Sequence, residues 1–273
     1  MKKIFLMGCI AMSLLSMISC NKNDGASLAP ESDPILSNVS ITSSESEDAL
    51  NATDELADGV LESRSNPSCP TITSTAPRGT FPNVITFDFG SGCTTDKGRF
   101  HSGKIIVEQS DSMIHDGAVR KTTFVDYGID SLKMKNGVVT LTNNGKDANG
   151  NRKFTRKITD MSVTGPKGEL LVNASHTRTQ IKGADTPDKG DDVWKIQGET
   201  IGSTPNDKVV YSAVITEALI RKNDCPFIVS GKETFTRKGR TAVLDFGDGS
   251  CDRFATLTLE NGNKIIIVLK PRF

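Results

Sequence analysis

Two blocks of this chain repeat the same order of cysteine, strand and turn residues. The first block begins with Cys69-Pro70 and ends with the run Asp-Phe-Gly-Ser-Gly-Cys at residues 88–93. The second begins with Cys225-Pro226 and ends with Asp-Phe-Gly-Asp-Gly-Ser-Cys at residues 245–251. An apolar segment that contains Lys-Ile-Ile follows each block. This shared order indicates an internal duplication, with related units near residues 69–107 and 225–268.

The four cysteines of the two blocks are predicted to form disulfides. Within each block the midpoint between the cysteines falls on a turn, at residues 78–83 and at residues 237–240. A hairpin folded at such a turn places its two cysteines opposite each other, within the roughly 4.4–6.8 Å Cα separation of a disulfide. The spacing therefore predicts Cys69–Cys93 and Cys225–Cys251, with pairing between the two blocks as the alternative.

Turn signals divide the rest of the chain into short segments rich in Thr, Val and Ile. From residue 67 onward, Asn-Gly, Asp-Gly and similar turns recur, and no segment there has a helical period of apolar residues. Such punctuation is typical of hairpin-connected strands. Residues 67–273 are therefore predicted to form an all-β domain. We expect an antiparallel meander rolled into a sandwich or a curved sheet, which carries the duplicated disulfide hairpin.

The N-terminus has the pattern of an export signal. Lys2 and Lys3 precede an apolar run at residues 4–18, which is too short for a stable membrane span, and Ser19 and Cys20 follow it. A cysteine directly after the cleavage position resembles the lipobox of bacterial lipoproteins, in which that cysteine is diacylated. This resemblance implies a signal peptide at residues 1–19 and a lipid on Cys20.

The next segment is acidic and poor in aromatic residues. Residues 21–66 carry ten acidic and two basic side chains, a net charge of −8. Residues 20–66 are therefore predicted to be a flexible tether, because such a composition cannot bury enough apolar surface to offset the entropy of ordering. The spacing of its leucines favours a short helix over residues 47–61, which would either dock on the body or remain free.

Charge and motif content argue against several functional classes. Residues 67–273 hold 29 basic and 23 acidic side chains without long basic runs, which does not favour a nucleic-acid partner. The three histidines, His101, His115 and His176, lack the spacing of a zinc site. The disulfides use every cysteine after Cys20, and no nucleophile elbow is present. We therefore expect no cofactor and no enzymatic activity.

A few short motifs remain as weak candidate sites. Asp245, Asp248 and Asp252 place three carboxylates around glycines, which would suit calcium, although each could instead cap a turn. Asp191-Asp192 beside Trp194 is the only pairing of acidic residues with the single tryptophan. Ser112 and Ser131 each lie in an Asp-Ser-aliphatic string that is similar to the O-glycosylation acceptor of Bacteroidota.

The lipobox-like Cys20, the acidic segment and the paired cysteine blocks together resemble uncharacterised cell-envelope lipoproteins of Bacteroidota. The resemblance implies an envelope location and β architecture and carries over no catalytic residue. We expect a membrane-anchored, non-enzymatic binding or structural protein of the outer membrane, facing either the periplasm or the cell surface. Its partner would be an envelope protein, a lipid or a glycan. A lipid or lipoprotein carrier with an apolar cavity and a glycan-active enzyme are the alternatives.

Overall fold

The computed structural model describes residues 34–62, 69–96, 98–186, 188–205 and 210–271. Within these ranges, one long helix precedes fifteen strands, which all belong to one sheet. The helix is α1 (Pro34–Glu62), and the strands are β1 (Thr71–Ser74), β2 (Asn83–Asp88), β3 (Cys93–Thr94), β4 (Phe100–Gln109), β5 (Val119–Ile129), β6 (Leu132–Lys135), β7 (Val138–Lys146), β8 (Arg152–Gly165), β9 (Gly168–Lys182), β10 (Val193–Ser203), β11 (Val210–Lys222), β12 (Ile228–Arg237), β13 (Arg240–Asp248), β14 (Phe254–Leu259) and β15 (Lys264–Val268).

The sheet is an antiparallel meander, as the turn pattern predicted. Hydrogen-bonded neighbours follow chain order from β1 to β15, except that β3 pairs beside β4 and that β6 and β7 share the place between β5 and β8. Hairpins join most neighbours, which explains the frequent Asn-Gly and Asp-Gly turns. The outermost strands of this path are β1 and β15.

The sheet curves around α1, so the helix forms the centre of the molecule. Leu50 packs in one apolar cluster with side chains of β2 to β9, including Phe87 and Met161. Leu36 packs in a second cluster with side chains of β10 to β15, including Phe235. Contacts from both halves of the sheet to one helix identify a curved sheet rather than two stacked sheets.

Most of the helix is enclosed although its sequence is polar. Many of its Ser, Thr, Asn and Asp side chains are buried, and Ser40 and Thr53 are among them. The Ser40 hydroxyl donates to the carbonyl of Leu36 at 2.9 Å, and the Thr53 hydroxyl donates to that of Leu50 at 2.8 Å. These bonds within the helix satisfy hydroxyl groups that would otherwise be costly to bury.

The helix corrects one prediction from the sequence. It is longer than the expected 47–61, and it is embedded in the sheet, so residues 34–62 are not a flexible tether. Composition alone misjudged this segment because its acidic side chains find counter-charges inside the sheet. Residues 20–33 and 63–66 of the predicted tether, like the predicted signal peptide, lie outside the described residues.

Both predicted disulfides are confirmed. Cys69 and Cys93 have a Cα separation of 6.2 Å, and Cys225 and Cys251 have one of 5.8 Å. Both Asp-Phe-Gly runs also share one local structure: the Asp side chain accepts a bond from the glycine N–H at 2.9 Å, and the phenylalanine is buried. The disulfide hairpin is therefore duplicated in three dimensions.

The Lys-Ile-Ile segments that follow the two cysteine blocks occupy different positions in the sheet. Lys104 belongs to β4, which pairs directly with β2. Lys264 belongs to β15, which is separated from β13 by β14. The structural counterpart of β4 is therefore β14, and the shared Lys-Ile-Ile letters do not mark equivalent strands.

A paired substitution in α1 tests whether the helix is part of the core. Leu50 is 3% exposed and Ile35 is 37% exposed on the same helix. We expect Leu50→Ala to lower the free energy of unfolding by about 2–5 kcal/mol, because it opens a cavity between helix and sheet. Ile35→Ala should change it by less than about 1 kcal/mol. Urea denaturation measures both, and equal, negligible effects would mean that the helix does not dock.

Candidate functional site

The inner face of the sheet carries a row of buried basic side chains. Alternate residues of β9 point inward, so His176 and Arg178 follow Leu170, Val172 and Ala174 on the same face. Neighbouring strands contribute more. The buried arginines of this inner face include Arg120 on β5, Arg156 on β8, Arg178 on β9, Arg221 on β11 and Arg237 on β12, and the first four of these face α1. Burying several positive charges is costly unless each has a counter-charge.

Acidic side chains of α1 supply those counter-charges. Asp54 contacts Arg178 at 2.9 Å, and Asp58 contacts Arg120 at 2.6 Å. Glu55 lies 3.6 Å from Arg221, and Glu47 binds Arg156. The spacing of these acidic residues along the helix thus matches the positions of the arginines across four strands.

His176 lies at the centre of this polar interface. Its Nδ1 accepts a hydrogen bond from Arg156 at 3.3 Å, because an arginine can only donate, and its Nε2 then donates to the Thr200 hydroxyl at 3.2 Å. Burial lowers the pKa of His176 to about 4, so the imidazole is neutral near pH 7. Burial alone would raise the pKa of Glu47, but the positive charges of Arg156 and Arg178 hold it below its ordinary value.

A small cavity, lined by apolar as well as polar side chains, lies between α1 and the sheet beside this cluster. Its volume is about 20 Å³, enough for about one water molecule. Burial, and then the negative charge of Glu47, raise the pKa of Glu233 to about 8. Glu233 is therefore mostly protonated at neutral pH. The polar side chains lining the cavity are Ser44, Glu47, Asp48, Asn51, His176 and Glu233.

The arrangement suits holding a helix better than binding a substrate. Of the two carboxyl groups that line the cavity, Glu233 of the sheet is buried and Glu47 of α1 is partly exposed but binds Arg156. In the described ranges, no group of three or more His, Cys, Asp or Glu side chains is arranged to hold a metal ion. The contacts that the structure does show here neutralise buried charge within the protein.

The three carboxylates proposed as a weak calcium site instead cap separate turns. Asp245 accepts from the N–H of Gly247 at 2.9 Å, and Asp248 accepts from that of Ser250 at 3.1 Å. Asp252 accepts from the N–H of Phe254 at 2.8 Å. Each carboxylate bonds to the N–H two residues later, which is the turn-capping alternative considered from the sequence.

The residues around Trp194 are held by structural contacts. Asp192 is buried and accepts a hydrogen bond from Gln180 at 2.7 Å, while Asp191 binds the Thr186 hydroxyl. The Trp194 ring packs edge-on against Phe154 at 5.6 Å, with Arg221 over its face. Asp192, Trp194 and Arg221 therefore pack together at one end of the inner face, whereas Asp191 is exposed in the connection before β10.

The other sequence candidates lie far apart in the fold. Ser131 is exposed in the turn between β5 and β6, and Ser112 is half-buried in the connection between β4 and β5. Buried His101 bonds to the Tyr127 hydroxyl at 2.8 Å, whereas exposed His115 pairs with Asp111. The lipidation candidate, Cys20, lies outside the described residues.

Sequence reasoning missed the charged interior, although strand parity contained a signal for it. Glu233 shares its parity in β12 with Phe235, and Arg178 shares its parity in β9 with Val172 and Ala174. Charged residues in phase with apolar ones indicate ionic groups on the inner face. The counter-charges could then have been sought in the most acidic segment of the chain.

In comparisons with protein-family models, curated proteins and solved structures, nothing matches this chain. Within the part of the chain that the structure describes, no helix is both long enough and apolar enough to cross a membrane.

The buried ion pairs make a testable prediction. Asp54→Ala should lower the free energy of unfolding by about 3–5 kcal/mol, because it leaves Arg178 buried beside Arg156 without its closest counter-charge. The double variant Asp54→Ala/Arg178→Met should recover much of that loss. As a control, Glu217→Ala breaks an exposed pair with Lys232 and should cost less than about 1 kcal/mol. Similar losses for both single variants would contradict the assigned role of the interior pairs.

The raised pKa of Glu233 predicts a specific pH dependence. Between its ordinary pKa of 4.5 and its folded pKa of about 8, the unfolded chain releases a proton that the folded protein keeps. The contribution of Glu233 to stability therefore falls as pH rises through this window. We expect Glu233→Gln to stabilise the protein at pH 8 relative to wild type, by on the order of 3–5 kcal/mol more than at pH 4.5.

Urea denaturation of both proteins at the two pH values measures this difference. Glu108→Gln, at an exposed position on β4, is the matched control and should show no such pH-dependent gain. A Glu233→Gln variant that parallels wild type at both pH values would show that Glu233 ionises normally.

Proposed function

We propose that this chain is a lipid-anchored protein of the bacterial outer membrane, with a β domain that serves a non-enzymatic binding or structural role. The anchor is inferred from the lipobox-like sequence at Cys20. The role is inferred from the interior, which is filled by the protein's own helix. With its interior occupied, the domain has its outer face and its turns left for contacts with an envelope protein, a lipid or a glycan.

The filled interior disfavours the carrier alternative. A lipid carrier needs a continuous apolar cavity, whereas α1 occupies the curve of this sheet and meets buried arginines there. The cavity beside Glu47 has room for about one water molecule, far below the several hundred Å³ of an ordinary ligand pocket.

The same interior lends no support to a glycan-active enzyme. Such an enzyme needs two carboxyl groups about 5–10 Å apart that flank a bound sugar. Glu47 and Glu233 share a cavity, but its volume of about 20 Å³ has no room for a sugar. The side chains usual for sugar stacking are also scarce, because the chain contains 1 Trp and 2 Tyr.

The anchor can be tested by labelling cells with a palmitate analogue. We expect the wild-type protein to incorporate the label and to sediment with outer membranes. Cys20→Ala should abolish both, because it removes the thiol that would carry the lipid. Cys9→Ala is the matched control, since Cys9 lies within the predicted signal peptide and should leave labelling unchanged. Label retained in Cys20→Ala would refute the proposed anchor.

A further inference from the structure

The docked helix shortens the connection between Cys20 and the folded domain. If all 46 residues 21–66 were free coil, their root-mean-square span would be on the order of 40 Å. Because the helix begins at Pro34, only residues 21–33 separate Cys20 from the body. Whatever their conformation, these 13 residues span at most about 45 Å, and as coil about 20 Å. An anchor at Cys20 would therefore hold the domain by the N-terminal end of α1.

Contacts of α1 identify which end of the sheet lies there. Val39, near the start of the helix, packs with Leu170, Val172 and Tyr211. The turn between β8 and β9 adjoins the same region, because a Cβ on Gly165 would lie 3.7 Å from the Thr42 side chain. Farther along β9, Arg178 binds Asp54, which lies nearer the end of α1, so the opposite end of β9 is the one remote from Cys20.

An exposed apolar patch lies at the anchor end of the sheet. Leu171 on β9 and Val210 on β11 both pair with Ser203 of β10, and Ile201 lies two residues before Ser203 on the same outer face. Leu171 is 42% exposed, Ile201 is 46% exposed and Val210 is 59% exposed. We call Leu171, Ile201 and Val210 the outer patch.

Basic side chains surround the same end. Lys167 is exposed in the turn between β8 and β9, Lys238 is exposed in the turn between β12 and β13, and exposed Lys133 pairs with Thr164 beside the first turn. Three acidic groups also lie near this end: Glu169 accepts a bond from Ser162, Glu260 lies 4.0 Å from Arg240, and Glu45 of α1 adjoins the turn between β8 and β9, within reach of the Lys167 charge. Apolar side chains ringed by lysines suit the interface of an anionic bilayer.

We propose that the end of the sheet bearing the outer patch rests on the membrane surface, with Leu171, Ile201 and Val210 at the level of the lipid headgroups and Lys133, Lys167 and Lys238 near anionic lipids. This inference rests on the proposed lipid anchor. The short connection makes the contact effectively intramolecular, so that a weakly attractive surface suffices. The opposite end of the sheet then faces away from the membrane and is free to meet a partner.

The test compares the two ends of β8, whose 14 residues span about 45 Å along the strand. A fluorophore is attached to Lys167→Cys or, as the matched position at the far end, to Asn149→Cys. Each full-length protein is purified from membranes and reconstituted in phosphatidylethanolamine/phosphatidylglycerol vesicles that contain a headgroup quencher. We expect several-fold stronger quenching at residue 167 than at residue 149.

Substitution of the outer patch shows whether quenching at residue 167 comes from contact of the patch with the membrane or from the lipid anchor alone. Leu171→Ser/Ile201→Ser/Val210→Ser should reduce quenching at residue 167 several-fold. Phe254→Ser/Ile266→Ser/Val268→Ser, which alters exposed apolar side chains on β14 and β15, should leave it unchanged. Circular dichroism and urea denaturation check that both variants fold.

Three results would overturn the inference. Equal quenching at the two ends in a protein that carries palmitate would leave the proposed function standing but refute this orientation. A change from dimer to monomer in the outer-patch variant, with quenching unaltered, would assign the patch to a second copy of the chain. Absence of lipid at Cys20 would refute the proposed function and this orientation together.

Discussion

The fold depends on the pairing of buried arginines with the acidic residues of α1. A curved sheet with Arg156 and Arg178 on its inner face could not exclude water around those charges without counter-ions. The helix is equally dependent, because a segment rich in Ser, Thr, Asn and Asp has low intrinsic helix propensity. The helix supplies counter-charges for the arginines, and the sheet supplies the contacts that stabilise the helix. Folding of the helix and closure of the sheet around it are therefore coupled.

Residues close together in the sequence predicted the sheet and its disulfides. The docking of α1 inside the sheet depends on contacts between residues far apart in the sequence. Turn residues specified an antiparallel meander, and the midpoint of each cysteine pair specified the disulfides at Cys93 and Cys251, because hairpins and their cross-links are set by nearby residues. The docking of α1 could not be predicted this way, since Asp54 and Arg178 are 124 residues apart. Glu233 was missed for the same reason: its pKa is set by burial under a distant helix.

The polar interior also explains why the domain does not need a large apolar core. A hydrophobic fraction of 36% is modest for a chain of 273 residues, and part of it belongs to the predicted signal peptide. The apolar clusters that include Leu36 and Leu50 pack the helix against the two halves of the sheet, while ion pairs and the helix's own hydroxyl bonds accommodate its buried polar side chains. Such ionic contacts add little net stability but penalise any other register of the helix, because a shift would bury unpaired charges.

A fixed helix register has a consequence for how the domain meets the envelope. Because Val39 packs at one end of β9 and Asp54 binds Arg178 toward the other, the chain must enter the sheet at the end where Leu171 and Lys167 lie. Under the proposed anchor, the same contacts that neutralise the interior therefore also orient the outer surface. A flexible tether would leave every face equally available. Under the proposed anchor, a docked helix would instead turn one end of the sheet to the membrane and the other end away from it.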